Sequence, residues 1–283
     1  MLSATCPAAR ADGVELRDDR GVFVRLPAPA QRIVTLAPNL AELAHSAGAG
    51  RHLVGVARFS DYPEAARHVT EVGDAARVEL ERILALRPDL VLAWKSGNQV
   101  GDIEKLERLG QAVFVTEPVR LADVPRLVRA IGALAGTGGA AERAARSFEE
   151  EVRSLRERYA RARKVRVHYE VWHRPLITVS GGHMINDVIA LCGGLNVFAS
   201  APGLTPTVSL EAVVAARPEA VLGGARTGGE AELRRDWREG PIGRLRTLPV
   251  FYVDPDLIQR QTPRILEGAR IVCAALESVR NRK

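Results

Sequence analysis

Lysine is nearly missing from this sequence: of 40 basic residues only Lys95, Lys105, Lys164 and Lys283 are lysine, and the rest are arginine. The arginines are interleaved with 34 acidic residues, so the net charge of +6 is spread without a basic block. Nucleic-acid binding needs positive charge gathered along one face, and this pattern argues against it. Long apolar runs are missing too. No stretch approaches the roughly 20 residues that cross a bilayer, and the chain reads as soluble. Nucleotide and catalytic signatures are also lacking. There is no Gly-x-Gly-x-x-Gly after a strand, no phosphate-binding loop, no Gly-x-Ser-x-Gly elbow and no His-Glu-x-x-His. The six histidines do not fall into metal-ligand spacing, and His168, His173 and His183 read as ordinary polar residues or contacts, with a metal site as the lesser reading.

Cysteine occurs three times, as Cys6, Cys192 and Cys273. The opening "MLSATCPAARADGVEL" contains Ala9-Arg10-Ala11, the small-x-small pattern that precedes signal-peptide cleavage, without an apolar segment ahead of it. Residues 1–11 are therefore expected to be the remnant of an export signal, with the mature chain starting near Asp12. A lipid anchor on Cys6 is the weaker reading, because "LSAT" is a poor context. Losing Cys6 leaves two cysteines, an even number suited to an oxidising compartment. Two buried thiols or one bond are the alternatives for Cys192 and Cys273, and export favours the bond.

What is present is repetition. "VELERILALRPDLVL" (78–92) returns as "VSLEAVVAARPEAVL" (208–222), with Glu81 over Glu211, Ile83 over Val213 and Asp89 over Glu219. A chain of 283 residues has room for two cores of about 130 residues each, and two related lobes explain the repeat better than a solenoid, whose period is shorter. Short apolar runs such as "RIVTLAP", "LVGVA", "DLVLAW" and "AVFVTE" alternate with helical stretches through Gly/Pro turns, and "KVRVHYEVW" to "PVFYVDP" does the same again. The fold class is α/β: two lobes with mainly parallel sheets flanked by helices. Between them, 137–164 has no proline, no glycine after its first turn, and Phe148, Val152, Leu155 and Tyr159 on one stripe. That is one long rigid helix. The expected domains are 12–136, this helix at 137–164, and 165–283.

Ligands meet parallel sheets at the carboxyl ends of strands. Candidate contacts are accordingly Phe59, Asp61, Tyr62 and Pro63 after "LVGVA", Trp94 after "LVLA", Trp172 at the end of "VHYEVW", and Asp254, Asp256, Arg260 and Arg264 after "VFYV". Glu81 and Glu211 open equivalent helices. One such acid merely favours the helix dipole; a matched pair on two lobes suits a two-point docking contact.

Taken in order, "RIVTLAPNLAEL", "GVARFSDYP", "LERILALRPDLVLAW", "SGN", "LCGGLNVF", "VSLEAVVAARPEAVL" and "PR" before a Cys-bearing helix resemble the periplasmic cobalamin-binding proteins of ABC importers, within the group that also binds ferric siderophores and haem. The resemblance runs from about Arg32 to the end. It implies two lobes bridged by one helix and an inter-lobe cleft that captures cobalamin or a related corrinoid, with no cofactor and no chemistry. Phe59, Asp256 and Arg260 would contact the ligand, Cys192 would bond Cys273, and Glu81 and Glu211 would dock a monomeric, exported binding protein on the permease of an inner-membrane ABC importer with its ATPase. The sequence departs from the best-known members where tyrosine becomes Phe59 and where tryptophans become Ala75, Thr205 and Leu257. A ferric-siderophore or haem binding protein on the same scaffold is the alternative, and a tetrapyrrole-modifying enzyme the remote one.

Overall fold

The computed structural model describes residues 13–224 and 228–282. The proposed export remnant at 1–11 and Cys6 lie outside the described residues. The chain forms two compact units: one runs up to Glu117 and adds Leu127–Arg143, and the other takes Pro118–Arg126 and the residues from Ala144 onward.

The first unit opens with an antiparallel hairpin, β1 (Val14–Arg17) and β2 (Phe23–Leu26). Its turn lies at 18–22, so the hairpin starts earlier than "DDRGVFVRLP" suggests. The four-stranded sheet follows: β3 (Ile33–Thr35), helix α1 (Pro38–Ser46), β4 (Leu53–Val56), α2 (Leu80–Ala85), β5 (Leu90–Trp94), α3 (Val100–Arg108) and β6 (Val113–Thr116). All its pairings are parallel and its order is β4-β3-β5-β6. The hairpin turn covers the β6 edge. The Asp19 amide donates to the Val115 carbonyl (2.9 Å) and the Glu117 amide donates to the Asp19 carboxylate (2.6 Å), which occupies groups an open edge would present to another chain.

Helix α4 (Asp123–Leu134) leads into α5 (Gly138–Tyr159), a helix of 22 residues. It ends at Tyr159, short of the 164 read from the apolar stripe; Ala160–Arg163 leave the helix as a turn. The second unit then gives β7 (Val165–Glu170), α6 (Met184–Leu191), β8 (Gly194–Asn196), α7 (Leu210–Ala216), β9 (Ala220–Gly223), α8 (Gly229–Glu239), α9 (Gly243–Arg246), β10 (Val250–Tyr252), α10 (Pro255–Ile258) and α11 (Ile265–Arg280). Its sheet is parallel throughout, in the order β10-β9-β7-β8. Renumbered within each unit, both sheets read 2-1-3-4, so the two halves share one topology.

The repeated segment occupies the same place in each half, as the helix before the third strand and that strand itself. Ile83 and Val213 are both fully buried and sit in equivalent cores, the first with Val34, Val91 and Leu106, the second with Val221, Leu233 and Trp237. The ends of the repeat also match. Arg87 and Arg217 take left-handed backbone at φ 46° and 48°, where a side chain is strained, and each is held there by an arginine at the start of the neighbouring strand, Arg32 just before β3 and Arg166 in β7. Arg32 Nε donates to the Leu86 and Arg87 carbonyls (3.0 and 3.2 Å), and Arg166 Nε donates to the Arg217 carbonyl (3.1 Å). The acid after the proline returns the contact: Asp89 accepts the Arg32 amide (2.9 Å) and Glu219 the Arg166 amide (2.9 Å). Burial opposes ionisation of Glu219, yet that amide and the Arg163 guanidinium at 2.6 Å hold its carboxyl below the usual range. Arg-Pro-acid is thus a helix-to-strand joint built twice.

Cys192, at the end of α6, is bonded to Cys273 in α11. Closing a loop with a sequence separation of 81 contributes about 4 kcal/mol on the chain-entropy account. No described helix is long and apolar enough to cross a membrane.

Candidate functional site

In a sheet ordered 2-1-3-4 the chain leaves the first strand in one direction and returns to the third in the other, so helices diverge between strands one and three. A crevice opens there at the carboxyl edge. In the first unit that point lies between β3 and β5, and in the second between β7 and β9. Trp94 closes β5, and Trp172 follows β7 by two residues. Both nominated tryptophans therefore stand at the switch point of their own sheet.

Trp94 is fixed by its neighbours. Its amide donates to Asn98 Oδ1 (2.8 Å), while Asn98 Nδ2 donates to the carbonyls of Leu36 (2.8 Å) and Ala75 (3.1 Å). One buried asparagine thus ties the ends of β3 and β5 to the 74–77 turn. A Cβ on Gly97 would meet the Trp94 ring at 1.9 Å, so only glycine lets the indole lie over the chain here. The Trp94 indole N–H is buried and has no hydrogen-bond partner among the described residues. Asn98 and Gly97 were not singled out as individual site residues from sequence; the signal was "SGN" one residue beyond a strand-ending tryptophan.

On the same edge, the loop after β4 carries Phe59, Asp61 and Tyr62. Phe59 is 62% exposed and sits in left-handed backbone at φ 67°. A bulky residue rarely takes that conformation, and exposure removes the usual packing reward. Tyr62 is exposed and precedes a cis proline, Pro63. Asp61 is partly buried, its carbonyl accepting from Arg67 Nε (3.1 Å).

In the second unit Trp172 is 47% exposed, its indole N–H donating to the Arg174 carbonyl (3.0 Å). It borders a cavity of about 780 Å³ between the 171–176 loop and α8, lined also by Glu170, His173, Leu233, Asp236 and Pro241. Glu170 is buried and organises this wall, accepting from Trp237 Nε1 (2.6 Å) and meeting His173 Nδ1 at 3.2 Å. That bond, against a smaller burial penalty, raises the His173 pKa. His168, behind the wall, packs edge-on against Phe198 and Trp237, and burial lowers its pKa to about 3. Glu170, Asp236 and Trp237 were missed in the sequence, because a buried carboxylate inside an apolar strand pattern gives no periodic signal.

Asp256 and Arg260 come together four residues apart, Nη2 to Oδ1 at 3.0 Å, with Arg260 buried. Asp254 caps α10, accepting the Asp256 amide (2.9 Å), which fixes where the pair stands. Neither Asp256 nor Arg260 lines the large cavity, and neither do the nominated residues of the first unit. His183 caps α6, its Nδ1 accepting the Ile185 amide (3.1 Å). Among the described residues no group of three or more His, Cys, Asp or Glu could hold a metal ion.

Glu81 and Glu211 are exposed in the first turns of α2 and α7. Ser209 caps α7 (3.2 Å from the Ala212 amide), and the Glu211 carboxyl is held below the usual range by its own backbone amide and the Ser209 hydroxyl. Among the described residues neither glutamate forms an ion pair.

A model of the periplasmic binding protein family matches residues 33–237. The chain belongs to the periplasmic binding protein family. Its members are non-enzymatic components that deliver ligands to ABC transporters. A relative from Vibrio parahaemolyticus serotype O3:K6, the vitamin B12-binding protein, is 34% identical over 255 residues, covering 90% of this chain and 92% of its own length. The crystal structure of the periplasmic vitamin B12 binding protein of Vibrio cholerae is similar with a TM-score of 0.78 at 30% identity, covering 90% of this chain and 99% of that one. A periplasmic haem-binding protein from Roseiflexus sp. RS-1, in apo form, has a TM-score of 0.76 at 23% identity, covering 89% and 100% of the two chains. At that identity it shares the fold alone.

Proposed function

We propose that this periplasmic binding protein captures cobalamin or a related corrinoid in the periplasm and hands it to the permease of an inner-membrane ABC importer. One observation carries the ligand: 34% identity sustained over 90% of the chain with a vitamin B12-binding protein. Binding is capture without covalent chemistry. The ligand contacts come from the carboxyl edges of the sheets: Phe59, Asp61, Tyr62 and Trp94 in the first unit, and Trp172, Asp256 and Arg260 in the second. A corrin ring needs broad apolar area plus donors and acceptors for its peripheral amides; the exposed aromatics offer the first and the Asp256–Arg260 pair the second. The departures at Phe59, Ala75, Thr205 and Leu257 remove hydroxyl and indole surface, so Trp94 and Trp172 carry more of the contact. Glu81 and Glu211 dock on the permease, each meeting a basic pocket.

Titration of the purified chain with cyanocobalamin, haemin and a ferric siderophore tests the ligand. Saturable binding of cyanocobalamin at least tenfold tighter than the other two is expected. Preference for haemin or the siderophore overturns the corrinoid reading, and altered ligand on release overturns capture without chemistry.

A further inference from the structure

On the second unit a separate hollow of about 330 Å³ lies where α8 and α9 meet the start of β10. Four guanidinium groups line it: Arg234, Arg238, Arg246 and Arg282, over a floor that includes Leu248 and Phe251. Among the described residues, no carboxylate lines it. Arg234 is steadied by Glu230, its Nε donating at 2.7 Å. Arg246 is aimed by its Nε, which donates to the Gly240 carbonyl (2.7 Å) and leaves the terminal nitrogens to turn elsewhere. Arg238, Arg246 and Arg282 form no ion pair among the described residues.

Arg238, Arg246 and Arg282, taken singly, are explained by their places at or just beyond a helix C-terminus, where the dipole favours a cation. That does not explain why separate segments bring theirs to one concavity. Arg234 and Arg238 are also four residues apart on α8, a like-charge spacing that weakens a helix. Guanidinium groups converging in a hollow, with one fixed by a backbone carbonyl, match the fork geometry that binds phosphate oxygens in pairs. We propose that this hollow binds a compact polyanion of the phosphate class, independently of the corrinoid reading. The anion is either a soluble phosphate or the headgroup of an anionic lipid; the chemistry is shared and the source is decided by experiment.

Calorimetric titration of the full chain with pyrophosphate at low salt is expected to show one saturable site. The Arg238→Gln/Arg246→Gln variant is expected to bind at least tenfold more weakly, with its circular dichroism and cyanocobalamin titration unchanged. An Arg153→Gln/Arg156→Gln variant, which removes the same charge from exposed positions on α5, is expected to bind like the parent. Co-sedimentation with phosphatidylglycerol vesicles, reversed by pyrophosphate, assigns a lipid headgroup; pyrophosphate binding without co-sedimentation assigns a soluble anion. The proposal is overturned by no pyrophosphate binding, by equal binding to parent and Arg238→Gln/Arg246→Gln, or by equal loss in both double variants.

Discussion

Single side chains set the geometry around Trp94. Asn98 makes three hydrogen bonds, each contributing about 1 kcal/mol net, and its loss frees the strand end that carries the indole. Asn98→Ala is expected to lower stability by about 2 kcal/mol in urea unfolding. Gly97→Ala forces the ring from its place, since a methyl group would overlap it; cyanocobalamin affinity is expected to fall about tenfold, read by fluorescence titration, with the fold retained. Unchanged affinity in Gly97→Ala removes Trp94 from the contact set. His168 contributes to acid behaviour at the same scale, as does His183, whose burial lowers its pKa to about 4. The folded pKa of His168, about 3, set by burial and then by nearby His173, lies below the ordinary value near 6.5. The fold therefore favours the neutral ring: its contribution is intact above pH 6.5 and declines as pH falls toward 3. The expected slope is about 1.4 kcal/mol per pH unit. His173 has the opposite sign. Its pKa is raised, so its stabilisation is full below 6.5 and is lost as pH rises through the folded value. His168→Leu is expected to flatten the decline between pH 6 and 4 in denaturant titrations, and identical slopes in parent and variant would contradict the assignment.

Whole elements explain the repetition differently from single residues. The Arg-Pro-acid joint needs an arginine from an adjacent strand, Arg32 or Arg166, that no local pattern identifies. Both precede a buried strand residue by one position, and both read as ordinary surface charge. Arg166→Met is expected to destabilise the chain by about 1–2 kcal/mol, measured by urea unfolding, because two carbonyls at the end of α7 lose their donor. Arg166→Lys is expected to recover only part of this, since a lysine lacks the planar fork. Full recovery would show that charge alone matters. The strands of the two parallel sheets were legible except for β8, since buried parallel strands leave short apolar runs bounded by Gly and Pro. Helices α4, α8, α9 and α10 were not identified, and α5 was drawn too long, because 160–164 carries no proline or glycine to mark the stop.

For the molecule as a whole, the proposed function separates holding a ligand from handing it on. Glu81→Arg combined with Glu211→Arg is expected to abolish cobalamin uptake in cells that depend on the protein, while affinity in solution stays within about twofold, since charge reversal on exposed first turns leaves the cores untouched. Retained uptake, or lost affinity, refutes the docking role. Which loops stand at the carboxyl edges of the sheets was readable at this scale, because parallel topology puts them there. The Glu170–Trp237–His173 wall was not, because Trp237 lies 67 residues from Glu170 in the chain.

The sequence by itself determined the α/β class, the doubled architecture and the family, because alternating apolar strands and helices leave a periodic trace and the repeat copies a whole helix-to-strand unit. Tertiary structure alone decided that Arg32 and Arg166 clamp the repeat, that Asn98 seats Trp94, that Glu170 is buried beneath a cavity, and that four arginines share a hollow. Hydrogen bonding and charge act across space, and residues remote in sequence become neighbours only once the sheets have formed.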